Sequence, residues 1–173
     1  EARMRAVLVG ADFEENLGLG ILAAVCRDAG HDPFILPFNV AEDTSAIVAR
    51  VMADQPPLVG LSIQFQHRAH EFLALARHLR RAGYRGHVTS GAQFPTLAYR
   101  EVIEGGHGVD SVVFHDGEET LLDLIDAIEH GRPLHDVAGL AILGHDGVAM
   151  RTETRRMPDD LDAIPFPIRY RDH

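Results

Sequence analysis

The side chains able to do chemistry in this chain fall in four short stretches. Asp12, Glu14 and Glu15 place three carboxylates just after an apolar run, Arg5 to Gly10. Gln64, Gln66, His67 and Arg68 follow "LVGLSI", with His70 three residues beyond His67. Ser90, Gly91, Ala92 and Gln93 form a small, polar corner, with Phe94 and Pro95 at its lip. His115, Asp116, Glu118 and Glu119 surround Gly117 after the apolar run Ser111 to Phe114. Amides and hydroxyls both donate and accept hydrogen bonds, which suits holding a ligand more than transforming one. His67 and His70 are spaced to face the same way at a helix start. Two imidazoles without a third fixed ligand make a poor metal site, and a solvated pair accounts for them. Cys26 falls on the apolar face of a helix, where a buried, inert thiol is expected. The sequence therefore predicts neither a metal site nor a catalytic group.

These stretches are set by a regular alternation. Apolar runs at Arg5–Gly10, Asp32–Phe38, Leu58–Ile63, His87–Ser90 and Ser111–Phe114 read as strands. Helical spacing follows each, over Leu17–Ala29, Ser45–Ala53, His70–Ala82, Thr96–Glu104 and Glu118–His130. Gly30, Gly83 and Gly131 stand just past three of these helices, as C-terminal stops do. Asp43 or Thr44 is the expected N-cap of the second helix. Five βα units predict an α/β fold with a doubly wound five-stranded parallel sheet, and among the doubly wound orders the flavodoxin-like 2-1-3-4-5 is the one chosen. Residues 1–137 form this Rossmann-like unit. Residues 138–156 read as a hairpin around "GHDG", and residues 157–173, with three prolines, as a linker or surface strap. Ligands of such sheets bind at the carboxyl ends of the strands, which is where the four stretches lie.

Composition narrows the partners. With 16 basic and 26 acidic residues the formal net charge is -10, a field that repels nucleic acid and anionic membranes. No apolar run reaches the roughly 20 residues a bilayer span needs. No signal peptide is visible and one cysteine allows no internal disulfide, so a cytoplasmic protein is expected.

Three ligand classes fit the four loops poorly. Gly18-Leu19-Gly20-Ile21-Leu22-Ala23 matches the dinucleotide pattern, but seven residues separate it from Gly10, and three of them are acidic. The same carboxylates oppose flavodoxin-style phosphate binding. The glycines are better read as letting the first helix pack closely on something. A phosphorylatable receiver domain needs Asp and Lys where this chain has Gln64 and His115. Metal binding has only the histidine pair.

Four segments in order, "ENLGLGILAAV", "VGLSIQFQ", "SGAQFPTLA" and "HDGEETLLDLI", resemble the cobalamin-binding domain of cobalamin-dependent radical SAM enzymes. The resemblance covers residues 5 to 168 and includes "LDAIPFP", which is similar to that family's linker into the catalytic barrel. It implies a corrin lying across the strand ends with its nucleotide tail in a slot. The binding residues it implies are Asn16, Leu17, Gly18, Ser62, Gln64, Phe65, Gln66, Arg68, Ser90, Gly91, Ala92, Gln93, Phe94, Pro95, His115, Gly117, Glu118 and Glu119. The chemistry agrees: small residues where a tail enters, amides toward propionamide arms, and Phe65 and Phe94 as apolar floor. Glu118 and Glu119 also suit the start of a helix by charge alone.

The departures are informative. The loop after the first strand lacks the histidine of the methionine-synthase type. The resemblance then places the cobalt's lower face near Gln64 to Arg68 without a protein ligand, His67 being the one imidazole placed to contradict this. Ala92 stands where the family often has glycine, a difference of one methyl. A radical SAM cluster needs three cysteines, so the [4Fe-4S] cluster and S-adenosylmethionine would belong to a barrel in the same polypeptide, outside this chain. The resemblance thus implies a fragment of a methyltransferase that binds cobalamin and is not catalytic alone. A stand-alone corrinoid carrier, a cobalamin sensor, or a flavodoxin-like domain with another ligand are the alternatives.

Overall fold

The computed structural model describes residues 3–170. Glu1, Ala2, Arg171, Asp172 and His173, which the sequence reading assigned to the lead-in and the linker, lie outside them. Strands β1 (Arg5–Gly10), β2 (Asp32–Pro37), β3 (Leu58–Ser62), β4 (His87–Gly91) and β5 (Ser111–Val113) run parallel. Their order is β2-β1-β3-β4-β5, as expected. The hairpin, β6 (Leu140–Leu143) and β7 (Ala149–Arg151), joins antiparallel beyond β5, so one sheet has seven strands. Leu140 and Ala141 of β6 and Ala149 of β7 are buried.

Helices cover both faces, because a central parallel strand such as β3 carries apolar side chains on each. α1 (Leu17–Asp28) and α6 (Glu118–His130) lie on one side, with Leu8, Leu58, Leu19 and Leu124 between them and the sheet. α2 (Thr44–Asp54), α3 (Ala69–Arg81) and α5 (Tyr99–Glu104) lie on the other, over Val7, Val9, Leu61 and Val88. Asn16 caps α1 by accepting from the Leu19 amide at 3.1 Å. Asp43 was a candidate cap for α2, but its carboxylate turns back to accept from the Asn39 and Val40 amides, at 2.9 and 3.1 Å. A short 3-10 turn, Ala41–Asp43, takes the place of a capped start.

The expected single helix over 96–104 is instead two pieces, α4 (Gln93–Leu97) and α5, broken at Ala98. Phe94 and Tyr99 both pack on the core. Five residues apart on a continuous helix they would point about 140° from one another, so the break lets both turn inward. α4 therefore starts directly at the corner after β4.

The amino end of β4 supplies a pH dependence. His87 is mostly buried, and its Nε2 lies 2.8 Å from Ser111 Oγ. Burial pushes its pKa below the ordinary histidine value, Asp110 opposing and Arg80 reinforcing the shift. The folded state thus prefers neutral His87. Its contribution is full above the unfolded value near 6.5 and is lost as pH falls towards the depressed folded value. Urea unfolding at stepped pH should show stability falling by up to about 1.4 kcal/mol per pH unit more below pH 6.5 than in His87→Gln. Equal slopes in the two proteins would remove His87 from this account.

Candidate cofactor-binding site

The sheet register brings small residues together in two rows on the α1/α6 face. Gly10, Ser62 and Gly91 are direct neighbours across β1, β3 and β4. One pleat further in, Leu8, Gly60 and Thr89 are neighbours in the same way. Alternation points both rows at α1 and α6, while the intervening Leu61 and Ser90 point to the other face. Between the rows and the helices runs a slot of about 190 Å³, walled by Leu19 and Leu22 of α1 and by Leu121 of α6. It opens at the carboxyl ends of the strands beside Gln64, Ala92, His115 and Glu118.

The slot exists because side chains are missing. A Cβ on Gly60 would lie 3.1 Å from Leu8 Cδ2, whereas one on Gly91 would only touch Val113 at 3.6 and 3.8 Å. Gly91 thus tolerates a Cβ sterically, and the space beside it is not required by packing. Gly10 is different: a Cβ there would sit 2.6 Å from Leu19 Cδ1, so that glycine lets α1 approach.

Of the residues singled out from the sequence, Gly18, Ser62, Gln64, Ser90, Gly91, Ala92, His115, Gly117 and Glu118 border this slot. Ser90 does so through its backbone, its side chain being on the opposite face. Phe65, Gln66, Leu17, Gln93 and Glu119 are exposed and are not among the residues lining the slot. Asn16 is buried as the α1 cap, and Phe94 and Pro95 pack inward in α4. Arg68 is turned away from the mouth, against the sequence reading. It is buried between the rings of Phe38 and Phe72, donates to the Phe38 carbonyl at 2.6 Å, and pairs with Glu71 at 2.7 Å. Through Nε and Nη1 the guanidinium fastens the loop after β3 to the end of β2, while its buried Nη2 has only the ion pair with Glu71. His67 is exposed, its ring 5.6 Å from that of Phe65. Gly60, Thr89 and Leu121 were missed. A glycine inside a strand pattern signals close approach, so Gly60 was findable; Thr89 and Leu121 carried no such mark.

The slot suits a ligand with one slim arm and one broad apolar face. Phe13, Phe65 and Leu97 are 66%, 54% and 86% exposed, on segments that follow β1, β3 and β4. The family model described as the B12 binding domain matches residues 6–125. The chain belongs to that family. It is 31% identical over 148 residues, 84% of its length, to the anaerobic magnesium-protoporphyrin IX monomethyl ester cyclase of a Synechocystis strain, covering 30% of that protein. It is 27% identical over 155 residues, 87% of its length, to an uncharacterized methyltransferase of Pyrococcus horikoshii, covering 32% of it. The chain thus spans about a third of the length of these curated relatives. The cobalamin-dependent S-adenosylmethionine radical enzyme OxsB has the same fold over 90% of this chain and 23% of its own, with TM-score 0.76 and 22% identity.

Cobalamin fits the residues present. The slot beside Gly60 and Gly91 has room for a slim group, and Phe65 and Leu97 are apolar and exposed on segments after β3 and β4. The methyl of Ala92 proves costlier than the sequence suggested. This residue of the B12-binding domain has φ 79° and ψ -163°, a region that essentially only glycine enters freely. Ala92→Gly should therefore raise the unfolding free energy by about 1–3 kcal/mol, read from the urea midpoint. No gain would mean that the corner relaxes around alanine at no cost.

Proposed function

We propose that this chain is the cobalamin-binding part of a longer cobalamin-dependent radical SAM enzyme, a methyltransferase, and that it performs no radical chemistry alone. The observation that carries the reading is the slot beside Gly60, Ser62 and Gly91, opening onto exposed aromatic side chains. Ser62 and Gly91 border the tail, with Gln64, Gln66, Gln93 and His115 as partners for amide arms around the ring. Phe65 gives apolar floor. Cobalamin supplies a cobalt centre suited to alkyl transfer; the chain's own part is to hold it, shield one face and keep its tail apart. One cysteine, Cys26, is buried, and burial raises its pKa to about 12, so the chain has no thiolate for an iron-sulfur cluster. That chemistry, with S-adenosylmethionine, falls to a radical SAM domain in the same polypeptide. The partial cover of the cyclase and methyltransferase supports a multi-domain setting, and the name of the Pyrococcus relative supports methyl transfer. No helix among the described residues is long and apolar enough to cross a membrane.

Purified protein mixed with hydroxocobalamin and desalted should keep a corrinoid absorption spectrum. A colourless eluate at micromolar protein would remove the central claim. Gly91→Leu should keep the same urea midpoint, because a Cβ fits there, but bind cobalamin at least about tenfold more weakly. Unchanged affinity in a folded Gly91→Leu protein would place the tail elsewhere.

A further inference from the structure

The strap after the hairpin returns to the candidate site. Ile168 lies against α1 at Gly20, its amide donating to the Gly20 carbonyl at 3.0 Å. The missing side chain makes this possible: a Cβ on Gly20 would stand 2.7 Å from the Ile168 oxygen and 2.9 Å from Pro167 Cβ. Two residues on, the strap meets the loop after β1. The Tyr170 hydroxyl accepts from the Asn16 amide at 3.2 Å, and Arg169 Nη1 pairs with Glu15 Oε2. Glu15 needs this pair. Its side chain is only 14% exposed, and Oε1 is buried with no hydrogen-bond partner among the described residues. A carboxylate held in that way is costly without its cation, because removing one partner leaves a poorly solvated charge. Without Arg169 the loop must shift to hydrate Glu15.

A shift there reaches the slot by a short route. Asn16 is bonded to the Ala11 carbonyl through Nδ2 and to the Leu19 amide through Oδ1, at 2.9 and 3.1 Å. Gly18 and Leu19 border the slot, and Phe13 lies in the same loop. We propose that the strap is a clasp, with Arg169 and Tyr170 as positioning residues that fix the loop over 11–16 and thereby the α1 wall of the slot. The proposal rests on the cobalamin reading for its consequence, and on the strap contacts alone for its mechanism.

Two measurements separate these. Hydrogen exchange on the protein without ligand reads the loop directly. In Arg169→Glu, which sets two carboxylates together, exchange at the Asn16 amide and over 12–17 should quicken about tenfold. Hydroxocobalamin titration should show binding weakened about tenfold. Arg169→Lys should restore both, which a change in overall stability would not do. Gly20→Leu, which lifts the strap from α1 away from the slot, should reproduce the Arg169→Glu effects. Unchanged exchange in both Arg169→Glu and Gly20→Leu overturns the clasp whatever happens with cobalamin. Faster exchange with unchanged affinity overturns its link to the slot. Wild-type protein that binds no hydroxocobalamin overturns the cobalamin reading, and exchange then decides alone whether the strap fixes the loop.

Discussion

A parallel sheet is stable because both faces are buried, and this one has to leave a gap in one of them. Gly60 and Gly91 border that gap on β3 and β4, with α1 and α6 as its other walls. The neighbouring positions carry the compensation. Leu8, Leu19 and Leu121 line the opening with apolar surface, and on the other face Val9, Leu61 and Val88 belong to a buried core cluster. Alternation lets the two faces be specified independently: odd steps along β3 and β4 build a core, even steps build a cavity.

The loops above the gap are each tied to a strand end. Arg68 fastens the β3 loop to Phe38. Asp12 and Asn39 exchange hydrogen bonds of 2.8 Å, joining the β1 loop to the end of β2. Asn16 closes the β1 loop onto α1, and the strap holds it from outside. These fastenings tie down the loops that carry Phe13 and Phe65. The corner after β4 is held differently. There the chain turns through a conformation meant for glycine, and α4 starts at once, with the Ala92 carbonyl accepting from the Thr96 hydroxyl at 2.9 Å. Strained backbone persists where surrounding structure over-determines it, and such places cluster at binding sites. Among the described residues, two of the three non-glycine residues with positive φ, Ala92 and His115, stand at the mouth of the slot.

The glycine-rich start of α1 shows how one motif serves two unrelated needs. Gly18 borders the slot, and Gly20, two residues on and about 200° around the helix, receives the strap. The acidic loop before it, hostile to a phosphate, is tolerated because Asp12 is hydrogen-bonded and Glu15 is paired. The negative charge that argued against nucleotides is thus partly consumed in holding the site's own wall.

The sequence by itself determined the five strands, the doubly wound parallel sheet and the strand ends where its polar loops gather, since these follow from periodicity, glycine stops and the handedness of βα crossovers; among the doubly wound orders it offered a choice, which the strand pairing decided. It also marked Ser62, Gly91 and Gln64, because small and amide residues after buried strands have few structural reasons to be there. It could not tell inward from outward. Arg68 and Gln66 stand two apart in one polar run, yet one is buried and the other bare, and only the position of the Phe38 carbonyl decides which. It read the methyl of Ala92 as harmless, because a side chain's size is written in the sequence and the φ it must adopt is not. The tertiary structure alone joined Gly60 to Thr89 and Glu15 to Arg169, pairs 29 and 154 residues apart. Such contacts arise from strand register and chain return, which no local pattern encodes.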